Sequence, residues 1–357
     1  MKTFWWTVAL LALPGVSAAQ PPACEVAGQA VHEHAFVTIG GLRQWVTIDG
    51  RDCANPVVLM IHGGPGNPNT PFADALYGGW TGEFTVVQWD QRGAGKTFIE
   101  NPDARDAPLD LHTMASDGVE LAQYLTQRLG QDKLILMGSS WGSALAVHMA
   151  QRQPELFGAY LGSSQLVDYS DNVATSYARV LGLAMAAGDA DVVGQLETLG
   201  PPPWTNPRGF GILRRAARKY ESLVVDAAPA AWWRPAPGYD TPEYEAGYEA
   251  AEDHSFLQFV GLAGDGMGPK LDLRALGNTF AMPVYLVQGE QDLLTTPDVS
   301  RAYFDSLVAP RKEFIPVPRA GHDPNEAMLE AQLDALRRAV RGRAQSSGGA
   351  MRPASSS

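Results

Sequence analysis

Gly138-Ser139-Ser140-Trp141-Gly142 constrains this chain more than any other stretch. It follows Lys133-Leu134-Ile135-Leu136-Met137, an apolar run that reads as a buried strand. It precedes Ser143 to Ala150, which reads as a helix. G-x-S-x-G on a strand-to-helix turn is a nucleophile elbow, in which the serine sits strained at the tip of a tight turn with Oγ exposed. The positions two before and two after the serine approach neighbouring backbone so closely that both must be very small. Both are glycine here. Only Ser140 is centred between them, so Ser139 is a bystander. Gly and Ser are common enough to match by chance, and the strand-elbow-helix context argues against that.

Other segments repeat the pattern of an apolar strand running into a chemically rich loop. Pro56 to Ile61 runs into His62-Gly63-Gly64-Pro65-Gly66, and Phe84 to Trp89 into Asp90-Gln91-Arg92-Gly93-Ala94-Gly95-Lys96-Thr97. Pro283 to Gly289 is followed by Glu290-Gln291-Asp292, and Lys312 to Val317 leads to Arg319-Ala320-Gly321-His322-Asp323-Pro324. Ser140, Asp292 and His322 therefore occur in the chain order Ser, Asp, His, with acid and base each just after a strand. Asp323 and Glu290 compete for the acid, but the post-strand position favours Asp292. His62, His148 and His254 compete for the base. The first sits in a glycine turn, the second in the elbow helix and the third outside the core, which leaves His322.

On HGGPG at 62–66, WDQRGAGKT at 89–97 and GSSWG at 138–142, the chain resembles the proline iminopeptidase branch of the α/β-hydrolases, serine peptidases with amidase and esterase relatives. The resemblance runs from about residue 35 to about residue 340. It implies an α/β-hydrolase fold: a mostly parallel sheet with helices on both faces and an inserted helical cap. It also implies a Ser140–His322–Asp292 triad. The backbone N–H of Trp141, next after the nucleophile, is one oxyanion donor, and the family pattern places the other on Gly64. Asp90 and Arg92 are expected to brace the Gly93-Ala94-Gly95 loop through a buried polar network.

Resembling iminopeptidases hold the substrate's free α-amine with acidic groups, one in a Trp-Glu context in the cap and one close after the triad Asp. This chain has no Trp-Glu dipeptide in the cap, and Leu293-Leu294 follows Asp292. Glu252 or Asp253 is the expected substitute. The lead expectation is release of N-terminal proline or small aminoacyl groups from peptides or arylamides. Carboxylesterase or general amidase activity on small apolar substrates is the alternative, and a non-catalytic binding protein on a hydrolase scaffold would require a broken triad.

Domain organisation follows from the patterning. Residues 1–19 read as a signal peptide: Lys2, an apolar stretch from Phe4 to Val16, and Val16-Ser17-Ala18-Ala19 as the cleavage site. The stretch is too short for a spanning helix and contains Pro14, so export is expected over an uncleaved anchor, with no stable membrane insertion after cleavage. Residues 34–49 read as a β-hairpin turning at Gly40-Gly41. Strand and helix patterns alternate over 20–165, the first part of the core. Residues 166–270 break the alternation and read as a helical cap, rich in aromatics and proline with few basic residues. Its aromatic stock is Trp204, Trp232, Trp233, Tyr239, Tyr244, Tyr248, Phe256 and Phe259. The core resumes over 271–342, ending in an amphipathic helix from Asn325 to Arg341. Residues 343–357 read as a disordered tail of Ser, Gly and Ala.

Charge and composition exclude other classes. A formal net charge of -12 leaves no basic patch for nucleic acid. No H-E-x-x-H or comparable metal-ligand spacing occurs, so neither metal nor cofactor is expected; the partner is a small-molecule or short-peptide substrate. Cys24 and Cys53 are the only cysteines. In an oxidising compartment such a pair favours a disulfide over two unrelated thiols.

Overall fold

In a computed structural model, Cys24 and residues 28–348 are described. The expected signal peptide and residues 349–357 lie outside the described residues. Eight strands form one sheet: β1 (Val31–Ile39), β2 (Leu42–Gly50), β3 (Val57–Ile61), β4 (Thr85–Trp89), β5 (Leu134–Ser139), β6 (Phe157–Ser163), β7 (Val284–Gly289) and β8 (Lys312–Val317). Their spatial order is β1-β2-β4-β3-β5-β6-β7-β8. β2 pairs antiparallel with both β1 and β4, and every later pairing is parallel.

The β1–β2 hairpin closes on Gly40 (φ 55°) and Gly41 (φ 75°), a left-handed pair that residues with a Cβ rarely adopt. The turn is also held from the side. The Arg92 guanidinium donates to Gly40 O at 2.9 Å, and a Cβ on Gly40 would lie 1.9 Å from an Asp117 carboxylate oxygen.

Helices fall between and after the strands: α1 (Ala73–Tyr77), α2 (Gly95–Glu100), α3 (Leu111–Leu129), α4 (Trp141–Arg152), α5 (Tyr169–Ala186), α6 (Ala190–Leu199), α7 (Pro207–Glu221), α8 (Pro242–Val260), α9 (Pro297–Ser306) and α10 (Glu326–Gly348). Local chemistry sets their ends. Asp110 caps α3 by accepting from Thr113 N, and Gly130 stops it in a left-handed conformation. Asn206 and Thr241 cap α7 and α8, each followed by a proline at the first helical position.

The strands explain the two-sided core. Successive side chains point to opposite faces, so fully buried strands read as continuous apolar runs. Leu59, Ile61, Leu134 and Leu136 pack with α3 and α4 on one face. Val58, Met60, Ile135 and Met137 pack with α1 and α10 on the other. A fully buried leucine such as Leu136 contributes about 1.5–3 kcal/mol relative to exposure.

Helices α5 to α8 fall between β6 and β7 and carry a separate apolar cluster. Val173, Tyr177 and Val180 of α5 meet Leu196 of α6 and Leu213, Ala217 and Tyr220 of α7. α10 extends to Gly348, past the 343 boundary at which a tail was expected. Arg343, Ala344 and Gln345 are good helix formers, and adding residues to an existing helix needs no new nucleus. Among the described residues no helix is long and apolar enough to cross a membrane.

The chain leaves β3 for β4 on one side, then crosses to β5 on the other. Such a reversal opens a crevice at the carboxyl ends of the strands, where open α/β sheets bind ligands. β3, β5, β7 and β8 all end there.

Candidate active site

Ser140 sits between β5 and α4 with φ 53° and ψ -123°, a conformation rare for a residue with a side chain. The turn tolerates it because the surroundings fix it. Ser140 N–H donates to Ser163 O at 3.0 Å, and its carbonyl accepts from the Ser143 hydroxyl at 2.6 Å. The glycine requirement is visible as distance. A Cβ on Gly138 would lie 2.3 Å from Gly142 O, and one on Gly142 would lie 2.0 Å from Ile61 O.

His322 and Asp292 lie after β8 and β7. His322 Nε2 is 3.0 Å from Ser140 Oγ, and His322 Nδ1 is 3.1 Å from both Asp292 oxygens. Asp292 is fully buried, and its loop supplies further donors. Oδ1 accepts from Leu294 N at 2.9 Å and Thr295 N at 2.8 Å. Oδ2 accepts from Thr295 Oγ1 at 2.6 Å and Gln288 Nε2 at 3.1 Å. Burial opposes ionisation of Asp292, but the His322 charge and the hydrogen bonds from His322 and Thr295 hold it below the ordinary carboxylate range. Burial likewise opposes charging His322. The Asp292 charge and hydrogen bond, with lesser contributions from Asp323 and Glu221, push it up to about 9.

The competing residues have other partners. Asp323 pairs with Arg218 at 3.0 Å. Buried His62 is pulled down to about 4 by desolvation and is therefore neutral; its Nδ1 donates to Gly63 O while Nε2 accepts from Gln91 N. Burial and Arg152 likewise push His148 down to about 4, and the His254 ring packs against Phe98.

The glycine loop after β3 comes close to Ser140, since a Cβ on Gly63 would lie 3.3 Å from Ser140 Cβ. Gly64 has φ 110°, and a Cβ there would meet Gly66 N at 2.7 Å. Gly64 and Trp141 line the same cavity as Ser140 and His322. The segment after β4 braces this loop. Gln91 Nε2 donates to His62 O, and Gln91 Oε1 accepts from Trp141 Nε1 at 3.1 Å. Buried Asp90 accepts from Thr70 Oγ1 and Lys96 N. Burial outweighs those bonds and raises it to about 7. Arg92 turns away to Asp117 at 2.9 Å.

The cavity has a volume of about 640 Å³. Of the expected aromatic stock, Trp233, Tyr248, Phe256 and Phe259 line it. Trp204 instead packs on Tyr177, and Tyr239 accepts from Trp45 Nε1 and meets Tyr244 edge to face. Glu252 and Asp253 on α8 also line the cavity. The expectation of few basic groups needs correction, because Arg214, Arg215 and Arg218 of α7 face it too. They recur at helical spacing on one face, which composition averaged over the cap conceals. Tyr169 and Phe210 are lining aromatics outside the expected stock, and Glu221, which accepts from the backbone N–H groups of Leu293 and His322, was not foreseen at all.

The α/β-hydrolase fold family model matches residues 56–326. The chain belongs to the α/β-hydrolase fold family. Its relatives include a probable aminopeptidase of Bacillus subtilis, 27% identical over 301 residues that cover 81% of this chain and 90% of the relative. A probable proline iminopeptidase of Streptomyces coelicolor is 26% identical over 330 residues, covering 87% of this chain and 96% of the relative. Among solved structures, the proline iminopeptidase of Mycobacterium smegmatis superposes with a TM-score of 0.58 at 19% identity, over 88% of this chain and all of that one. This α/β-hydrolase is thus proline iminopeptidase-like, as HGGPG, WDQRGAGKT and GSSWG implied.

Proposed function

We propose that this α/β-hydrolase is an exported serine hydrolase of the proline iminopeptidase type, releasing N-terminal proline or small aminoacyl groups from short peptides or arylamides. The observation that carries the reading is the unbroken hydrogen-bonded line from Asp292 through His322 to Ser140. Ser140 Oγ attacks the carbonyl carbon while His322 Nε2 takes its proton. Asp292 holds the proton-bearing Nδ1 toward itself and stabilises the imidazolium that forms. The carbonyl oxygen becomes an anion facing the N–H groups of Gly64 and Trp141, each donor worth about 3–4 kcal/mol of transition-state stabilisation. His322 then returns the proton to the leaving amine, and a water repeats the sequence to free the acyl group.

Glu252 or Asp253 is the carboxylate in this reading that receives the free amine, since both line the cavity on α8. The Cys24–Cys53 bond, with Cα atoms 5.3 Å apart, fits an oxidising destination and the signal-like N-terminus.

A second reading is an esterase or general amidase. It is favoured by Leu293-Leu294 directly after Asp292 and by the aromatic lining of Phe210, Phe256 and Phe259. One comparison separates the two: hydrolysis of a proline arylamide, its N-acetylated form and a p-nitrophenyl ester. A hundredfold loss on acetylation, about 2.7 kcal/mol, supports amine recognition. Equal rates on the first two sink the aminopeptidase reading and leave the esterase or amidase.

A further inference from the structure

We infer that Glu221, the last residue of α7, is a positioning residue that clamps the acid loop and the base loop of the triad to the cap. The inference rests on the serine-hydrolase reading above. Glu221 is buried, and its two oxygens serve two different loops. Oε1 accepts from Leu293 N, next to Asp292, at 2.6 Å. Oε2 accepts from the backbone N–H of His322 itself at 3.3 Å. One carboxylate thus ties together two segments whose separation sets the Asp292–His322 geometry. It also occupies the neighbourhood of Leu293, where the chain has no acidic side chain of its own.

The approach is built in on both sides. A Cβ on Gly321 would lie 2.8 Å from Glu221 Oε2, so the loop carries no side chain where the carboxylate enters. The cap is also stitched to this loop by Arg218 to Asp323 at 3.0 Å, Arg319 to Asp226 at 2.5 Å and Asn325 Nδ2 to Asp226 O at 3.1 Å. The two ion pairs are exposed, and such pairs contribute little. The buried, charge-assisted bonds of Glu221 fix the position more strongly. Glu221 does not line the cavity, so it acts through His322 and Asp292 rather than on substrate.

The electrostatics follow the geometry. Burial first, then the Asp292 charge, raises Glu221 to about 7, and His322 partly offsets them. In its charged form Glu221 adds to Asp292 and Asp323 in holding the proton on His322. The other charges facing this corner are Arg218 and the Arg319–Asp226 pair. Protonating Glu221 leaves a hydroxyl against an N–H donor, so one of the two loop contacts is lost.

The test uses the full chain and a fluorophosphonate probe, with the labelling rate of Ser140 measured against pH. Glu221→Gln keeps the shape, removes the charge and presents an amide N–H to one loop N–H. The acid limb should move down by about half a pH unit or more, and the plateau rate should fall about tenfold. Glu221→Asp retains the charge but retracts the carboxylate, so the plateau should fall with the limb in place; this covers a Gln variant that does not fold. Superimposable profiles for wild type and the folded Gln variant overturn the inference, even with a lowered melting temperature. An unchanged plateau in the Asp variant overturns it as well. Failure of wild type to label at Ser140 would instead remove the hydrolase reading beneath it.

Discussion

Asp292→Asn is the substitution whose effect can be worked out atom by atom. Two backbone N–H groups, of Leu294 and Thr295, point at Oδ1, whereas Oδ2 faces only the side chains of Thr295, Gln288 and His322. The Asn carbonyl must therefore occupy the Oδ1 site, and its NH2 takes the Oδ2 site. Gln288 cannot flip to receive it, because its Nε2 also donates to Thr295 O at 2.9 Å and its Oε1 accepts from Gln165 N. The Thr295 hydroxyl can rotate. The carbonyl at the Oδ1 site is already taken by the two backbone N–H groups, so His322 Nδ1, which lies 3.1 Å from both sites, accepts from the NH2 that Gln288 cannot receive, and the ring proton moves to Nε2. That tautomer has no lone pair for the Ser140 proton. The donor facing Gln288 costs a further 1–3 kcal/mol or so of stability. Holding the wrong tautomer costs roughly four orders of magnitude in rate, about 5.4 kcal/mol. Stopped-flow or time-resolved fluorophosphonate labelling of wild type and variant measures it at a common pH. A loss smaller than about tenfold, with the variant folded by circular dichroism, would refute the tautomer argument and the role of Asp292 with it.

Four other outcomes follow from the same geometry. In the proposed mechanism activity needs His322 neutral, and Asp292 holds the His322 pKa above its usual value, so kcat/KM should rise with pH along a limb well above 6.5, toward about 9. Stability runs the other way: the His322–Asp292 pair stabilises fully below about 6.5 and loses that contribution as pH rises through the folded pKa, so a melting scan should fall where activity climbs. Gly142→Ala places a Cβ 2.0 Å from Ile61 O, backbone that cannot rotate away; denaturant titration should show a loss of about 3 kcal/mol or more, and an unchanged midpoint would contradict the close approach. The Cys24–Cys53 bond closes a loop with a sequence separation of 29; Cys24→Ser should lose roughly 3–4 kcal/mol, and thiol titration of the denatured, unreduced protein should find none.

The sheet was legible because parallel strands buried on both faces leave unmistakable apolar runs, such as Val57 to Ile61 and Leu134 to Met137. The elbow was legible because its glycine spacing is itself a local pattern: Gly138 answers to the backbone of Gly142, although Gly142 in turn answers to the backbone of Ile61, far away in the sequence. Post-strand position brought Asp292 and His322 forward for the same reason: the fold aligns strand ends. Glu221 left no such mark. It lies 72 residues before Leu293, whose N–H it receives, and it ends an amphipathic helix where a glutamate is ordinarily solvated. The Arg214, Arg215 and Arg218 face was hidden for a related reason. Which side of a cap helix meets the cavity depends on how the cap docks, and no local period encodes that. Thr295 had a weak signal, as a hydroxyl three residues after an Asp closes a turn by itself.

The central claim is that Ser140 is the activated nucleophile. Peptide mapping of the fluorophosphonate-treated protein tests it most directly, beside the Ser140→Ala variant. The account predicts one adduct per chain, on the peptide bearing Gly138 to Gly142 and fragmenting to Ser140, with no adduct in a folded alanine variant. An adduct on Ser139, or equal labelling of the variant, would contradict it.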